Sequence, residues 1–206
     1  KVLSDGGVEL MPLDTYPSSK RYAWVQDRYG LSWQLMLTEG EKPLRKIVPS
    51  LLFSGAALGK AEDAVRYYTS VFENSGVDLI SRYAEGEALM PEAKINYAAF
   101  RLLGQPFTAM DHGFEADFTF NEAFSLIVYC DTQAEIDFYW QKLSHVPEAE
   151  ACGWLKDQFG VSWQVVPTLL DTMMENGTEE QIQRVTEAFL QMKKFDIAAL
   201  EKAFAG

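Results

Sequence analysis

The sequence has little of what most catalytic or polyanion-binding chains rely on. Its 206 residues include two cysteines and two histidines. Cys130 and Cys152 make neither a disulfide framework nor a zinc-binding spacing, and they suit a reducing, cytoplasmic setting. Basic residues are also few: 18 Lys and Arg stand against 30 Asp and Glu, a net charge of −12. A surface that holds a phosphate backbone needs clustered cations to displace counterions, so no nucleic acid partner is expected. No apolar run approaches the roughly 18 residues of a membrane span, so no membrane partner is expected either. The phosphate fingerprints G-x-G-x-x-G and G-x-x-x-x-G-K-[ST] are missing as well, and Gly55-Ala-Ala-Leu-Gly59 has the wrong spacing for a dinucleotide turn. What the chain does have is apolar: 48% hydrophobic and 13% aromatic residues, enough for a sizeable core. At roughly 150 residues per domain, the length allows one domain and part of another.

An internal repeat organises the rest. Residues 24–36 read WVQDRYGLSWQLM and residues 154–166 read WLKDQFGVSWQVV. Trp24/Trp154, Asp27/Asp157, Gly30/Gly160, Ser32/Ser162, Trp33/Trp163 and Gln34/Gln164 are identical, and most other positions exchange like for like. Two tryptophans per copy make this a duplication, and its 130-residue period is domain-sized rather than solenoid-sized. The charged, Gly- and Pro-broken stretch Glu39-Gly40-Glu41-Lys42-Pro43 reads as a linker. Residues 1–40 are therefore expected to be the C-terminal part of a first module, 46–167 a complete module, and 168–206 a tail. The opening segment supplies only late strands, whose open edges are costly. Either residues ahead of Lys1 or a partner chain is expected to complete them, and the sequence leaves both open.

Within the complete module, Val48–Ser54 reads as a buried strand, and Ala61, Val65, Tyr68 and Phe72 form a helical stripe. Tyr97–Leu103 and Phe107–Met110 flank Gly104-Gln105-Pro106 as a hairpin. Ser125–Cys130 restarts the series; Ile136, Trp140 and Leu143, with Tyr139 beside them, form a second stripe, and Val161–Val166 closes the set. The tail is helical. Thr178 with Gln181 is a capping-box pattern ahead of Ile182, Val185, Phe189 and Met192, and Asp196 caps a last helix burying Ile197, Leu200 and Phe204. Leu169, Leu170, Met173 and Met174 add a third apolar surface. Part of this tail is expected to pack on a second copy in a homodimer; folding over its own sheet is the competing reading.

The order of elements, with Trp154-Leu-Lys-Asp-Gln-Phe-Gly-Val-Ser-Trp-Gln164, resembles the PhnB-like family, whose members often carry the label 3-demethylubiquinone-9 3-methyltransferase, within the vicinal oxygen chelate superfamily of glyoxalases, bleomycin-resistance proteins and ring-cleaving dioxygenases. The resemblance covers residues 46–206, and residues 1–37 look like the last third of a second such domain. It implies an α+β fold in which paired βαβββ units form a curved mixed sheet around a cavity, with helices outside.

The resemblance also implies where a divalent metal would sit in active relatives, on His, Glu or Gln side chains projecting from the strands. Here those places fall on Pro49, Phe124 and Gln164, with Asp111 loosely at the fourth. One amide and one carboxylate are a poor donor set for Zn²⁺ or Fe²⁺, so no metal is expected. If Gln164 faces inward, strand alternation turns Ser162 and Val166 inward too, and the same counting places Pro49, Leu51, Phe53, Phe124, Leu126 and Val128 there. An apolar or aromatic small molecule, held by Gln164 and Ser162 among Leu51, Phe53, Phe124 and Leu126, is the expected ligand. The plain alternative is that these residues fill a core. Asp111 is the one carboxylate placed to act as a catalytic base. His112, His145, Cys130 and Cys152 lack the neighbours that would make a base or nucleophile of them. No cofactor is expected, since a methyl-donor site of the common kind needs a glycine-rich turn. A metal-dependent glyoxalase or dioxygenase, and methyl transfer as in the family label, remain the competing functions.

Overall fold

The computed structural model describes residues 2–16, 19–37 and 45–206, and the chain divides into two compact units, Lys1–Ile47 and Val48–Gly206. The linker expected at Glu39–Pro43 lies outside the described residues. No helix among them is long and apolar enough to cross a membrane.

The first unit is one antiparallel sheet of β1 (Val8–Tyr16), β2 (Ser19–Gln26) and β3 (Ser32–Met36), in that order. The repeated motif explains its second hairpin. Asp27 Oδ1 accepts the amides of Tyr29 (2.9 Å) and Leu31 (3.0 Å), and Oδ2 accepts Trp33 Nε1 (2.9 Å). Gly30, at φ +87°, adopts the left-handed conformation that closes the turn.

The second unit begins with β4 (Ser50–Phe53), a 3-10 turn and α1 (Ala61–Val71), followed by β5 (Gly76–Arg82), β6 (Ile95–Leu102) and β7 (Gln105–Asp111). These strands form a sheet in the order β4-β7-β6-β5, with β4 parallel to β7. The β6–β7 turn is Leu103-Gly104, both at positive φ, as a two-residue hairpin of matching twist requires. Pro106, expected in the turn, already pairs with Arg101. Then come β8 (Ser125–Cys130), α2 (Gln133–Leu143), β9 (Trp154–Lys156) and β10 (Ser162–Pro167), ordered β8-β10-β9 with β8 parallel to β10. The fold is thus α+β, and its strands lie in separate small mixed sheets. The first half is βαβββ. The second has a lone Ala151–Trp154 bridge ahead of β9 and, among the described residues, no strand in the place of β5.

One core joins the halves. All four residues of the first helical stripe are buried, as are Ile136 and Leu143 of the second. Phe72, just past α1, stacks on Tyr139 of α2 (5.1 Å between centroids) and on Trp163 of β10 (5.4 Å), while Tyr68 meets Trp163 edge-on at 5.3 Å. Such ring pairs contribute about 0.5–1.5 kcal/mol each beyond area burial. Asp157, between β9 and β10, repeats the role of Asp27: it accepts the amides of Phe159 (2.8 Å) and Val161 (3.0 Å) and Trp163 Nε1 (2.8 Å), with Tyr68 Oη at 2.6 Å in addition.

The tail comprises α3 (Thr168–Asn176), α4 (Glu179–Phe189) and α5 (Ile197–Ala205). The Thr178–Gln181 capping box forms, and Asp196 Oδ1 accepts the Ala199 amide at 3.0 Å. Met173, Val185, Phe195 and Leu200 enter the unit's own core, so most of the tail is covered within one chain. Met174 and Leu190 stay exposed on the tail. The Cys152 and Gly153 amides bond to the Met192 and Lys193 carbonyls, and the Phe195 ring lies so close to Gly153, at φ +82°, that a Cβ there would approach its Cε2 to 2.3 Å.

Burial pushes the Asp157 carboxyl above its ordinary value of 3.8, outweighing the donors that favour the anion. The folded state then holds this proton more tightly than the unfolded chain, so the contribution of Asp157 to stability falls as pH rises from about 3.8 through the folded value. Asp157→Asn turns an NH2 toward two donors whichever way the amide lies. It is expected to cost about 2–4 kcal/mol in urea unfolding at pH 7, and to flatten the acid-side slope of a stability–pH curve.

Candidate functional site

Strand alternation divides the expected site residues between two faces. Asp111 ends β7, fully buried; its Oδ1 accepts the Gly59 (2.9 Å) and Ala61 (3.2 Å) amides, and its Oδ2 accepts the Lys94 and Ile95 amides (3.0 Å each). Since Ala61 is the first residue of α1, this face of the sheet is the one that α1 covers. Leu51 and Phe53 pair with Ala109 and Asp111, so they lie on the same covered face and are fully buried core residues. Their expected place in a ligand cavity is therefore corrected. So is that of Asp111, whose four backbone donors make it an anchor for the turn into α1 and give it no open lone pair toward a substrate. The opposite, less buried face of this sheet carries Leu52, Thr108 and Met110.

In the second sheet, Trp163 and Val165 are buried on the helix side with Val128, the register partner of Val165, and half-buried Leu126, the partner of Trp163, packs against the same core. Leu126 and Val128 thus belong to the core rather than to a cavity. Phe124 precedes the strand and is exposed. Gln164, Ser162 and Val166 share the other face with Ser125, Ile127 and Tyr129 of β8 and with Trp154 and Lys156 of β9. The period of two had to be anchored once for each strand, and an offset of a single residue exchanges the faces. On β8 the counting was offset by one, which is why Ser125, Ile127 and Tyr129 were missed. Their pairing with Ser162, Gln164 and Val166 supplies the register that the β8 sequence alone does not.

This open face combines apolar area with a few polar atoms. Gln164 Nε2 donates to Ser125 Oγ at 2.8 Å, which fixes the amide and leaves its carbonyl oxygen as an acceptor. The Ser162 hydroxyl is buried and has no hydrogen-bond partner among the described residues. Ile127 and Tyr129 are exposed beside them. Lys156 Nζ lies 2.5 Å from Glu122 Oε1 on the β7–β8 connection, and this ammonium holds the exposed Glu122 carboxyl below its usual range.

Other chemistry fares worse. Burial pushes the Cys130 thiol up to about 12, far from a thiolate. His112 Nδ1 lies 2.8 Å from the Phe114 carbonyl. Among the described residues no three His, Cys, Asp or Glu side chains stand close enough to hold a metal ion. The amides leading into α1, where a phosphate-bearing or methyl-donor cofactor would be cradled, are taken by Asp111 instead.

Part of the chain is similar to known proteins. The family model described as 3-demethylubiquinone-9 3-methyltransferase matches residues 45–166. A solved structure of a putative 3-demethylubiquinone-9 3-methyltransferase, PhnB protein, from Bacillus cereus is 38% identical over 60% of this chain and 100% of its own, with a TM-score of 0.51. Proteins from Staphylococcus aureus and Pseudomonas aeruginosa are 27% and 20% identical, each over 60% of this chain and 97% of their own, with TM-scores of 0.28 and 0.43. None of the curated proteins searched matches.

Asp111→Asn replaces one oxygen with an NH2 facing two backbone donors, and the variant is expected to lose about 2–4 kcal/mol of stability. Urea unfolding checks this. An Asp111→Asn protein as stable as the parent would show that the amides around it find other acceptors.

Proposed function

As the chain belongs to the PhnB-like, 3-demethylubiquinone-9 3-methyltransferase family, we propose that it is a small-molecule protein that binds an apolar or aromatic compound on the open face of β8, β10 and β9, without a metal. The observation that carries this reading is the fixed Gln164 amide near the buried, unpartnered Ser162 hydroxyl on a face that also carries Ile127, Tyr129, Val166 and Trp154. A buried hydroxyl without a partner costs roughly 1–3 kcal/mol, and a ligand atom that accepts or donates there would recover part of it. The Gln164 carbonyl would take a hydroxyl or N–H from the same ligand, while Ile127, Tyr129, Val166 and Trp154 cover its ring or chain. In this reading a second copy closes the exposed Ile127 and Tyr129 side into a cavity, and the protein works as a cytoplasmic homodimer.

Methyl transfer is what the family's label describes. In this chain the Gly59 and Ala61 amides are taken by Asp111, which supports binding without such a cofactor. Calorimetry with S-adenosylmethionine separates the two: heat of binding would restore the methyltransferase reading, and its absence would leave the present one standing.

Native mass spectrometry of protein taken from cells is expected to show an organic compound at up to one per subunit. Stoichiometric Zn, Fe or Ni would overturn the metal-free reading. Ser162→Ala should leave the unliganded protein as stable or up to about 1 kcal/mol more stable. The same change should weaken binding of 2-naphthol, a neutral aromatic probe, about tenfold. A fluorescence titration beside a urea melt reads both effects, and unchanged affinity would remove Ser162 from the site.

A further inference from the structure

The strands β8, β10 and β9 carry one charged side chain between them, Lys156. The hairpin does not call for it. In the first copy of the motif the same place is Gln26, likewise paired with a serine, and its amide donates to the Gly30 carbonyl of its own turn at 3.1 Å. Both turns close on their aspartate with the same three hydrogen bonds, so neither depends on an ammonium. Lys156 reaches elsewhere. Its side chain is only 23% exposed, and its Nζ meets the carboxylate of Glu122, which is 65% exposed.

Register sets this ammonium in a row. Ser162 on β10 is the partner of Lys156 on one side and of Ser125 on the other, so two hydroxyls and one cation follow one another across the open face. The Ser162 hydroxyl, in a residue 2% exposed, has no partner among the described residues. Ser125 Oγ accepts the Gln164 amide, which leaves its own O–H to donate. The ammonium has three protons, and Glu122 takes one. These donors stand together at one end of the face, and Ile127, Trp154, Tyr129 and Val166 continue it with apolar surface. Glu122 itself lies just ahead of β8, in a turn closed by the Phe124 amide on the Asn121 carbonyl and the Ala123 amide on Asn121 Oδ1. A strand holds the lysine, and a surface turn holds the glutamate.

Building on the ligand-binding reading of this face, we propose that the row Ser125, Ser162 and Lys156 is an anion subsite. The ligand is then a carboxylate with an apolar or aromatic body, and Glu122 is an internal stand-in that the ligand's own carboxylate displaces. A carboxylate accepts at about four lone-pair sites, enough for the ammonium and both hydroxyls at once. Glu122 reaches the ammonium alone. Exchanging one carboxylate for another across a partly exposed ion pair costs little, because such pairs contribute little in water. The preference is local: a net charge of −12 repels anions at a distance, and Lys156 reverses the sign on strands that carry no other charge.

Fluorescence titration of the 206-residue chain with 2-naphthoate beside 2-naphthol tests this, since the two probes share a ring system and differ in charge. The carboxylate is expected to bind about tenfold more tightly than the phenol at pH 7. Lys156→Met should bring the two affinities to within about twofold of each other, and Lys156→Arg, which keeps the charge, should preserve the preference. Glu122→Gln, which removes the competing anion, should raise the naphthoate-to-naphthol ratio by about threefold. Circular dichroism checks that each variant is folded. Naphthol bound as tightly as naphthoate, or a preference that survives Lys156→Met, would overturn the anion subsite and leave the ligand-binding reading intact. An unchanged ratio in Glu122→Gln would remove the stand-in, and failure of both probes to bind the parent would overturn the ligand-binding reading as well.

Discussion

The Asp157 carboxylate is the contact on which the second unit depends. It closes the β9–β10 turn through two amides, fixes the Trp163 indole, and reaches across to the Tyr68 hydroxyl on α1. The indole is thereby held in the stack with Phe72 and Tyr139, so one anion sets the relation of both helices to the second sheet. Burying a charge is costly unless its lone pairs are filled. Here four donors fill them, and desolvation still raises the carboxyl. Tyr68, pushed well up by its own burial and by Asp157, stays protonated and donating.

Asp111 solves the same problem at the other end of the unit. Its four amides come from the approach to α1 and from the start of β6, so it ties the crossover into α1 to the sheet under it. Together the two carboxylates stiffen the covered faces and leave the polar groups of the open face, Gln164, Ser125 and Ser162, available for other work. Structural anions lie on the helix side, and the candidate ligand atoms lie on the other.

Much of the fold was legible in the sequence. Helical stripes show as spacing, so Ala61, Val65, Tyr68 and Phe72 were readable, and the Thr178 capping box is a local signal that needs no tertiary context. The repeated W-x-x-D-x-x-G-x-S-W-Q motif showed the duplication, and both copies fold as hairpins. The candidate site was only half legible. Gln164 and Ser162 share a face, as alternation along β10 expects, whereas Leu51, Phe53 and Leu126 lie on the helix-covered faces, which period-two alternation, carrying no absolute phase, does not reveal. Asp111 was misread for another reason: a lone carboxylate in an apolar strand looks like a base until the amides that converge on it from distant segments are known, and those contacts span up to 52 residues of sequence. The separation into small sheets was equally hidden, since it depends on which strand edges meet.

The close approach of Phe195 to Gly153 bears on how such tails can be exchanged in evolution or engineering. The ring occupies the volume that any side chain at position 153 would need, and adjoining amides are stitched to the chain just ahead of it. The three C-terminal helices are thus no portable appendage: grafting them onto a relative without a matching glycine would meet a collision at the hairpin, so the helical end and the turn it covers should be inherited as a pair.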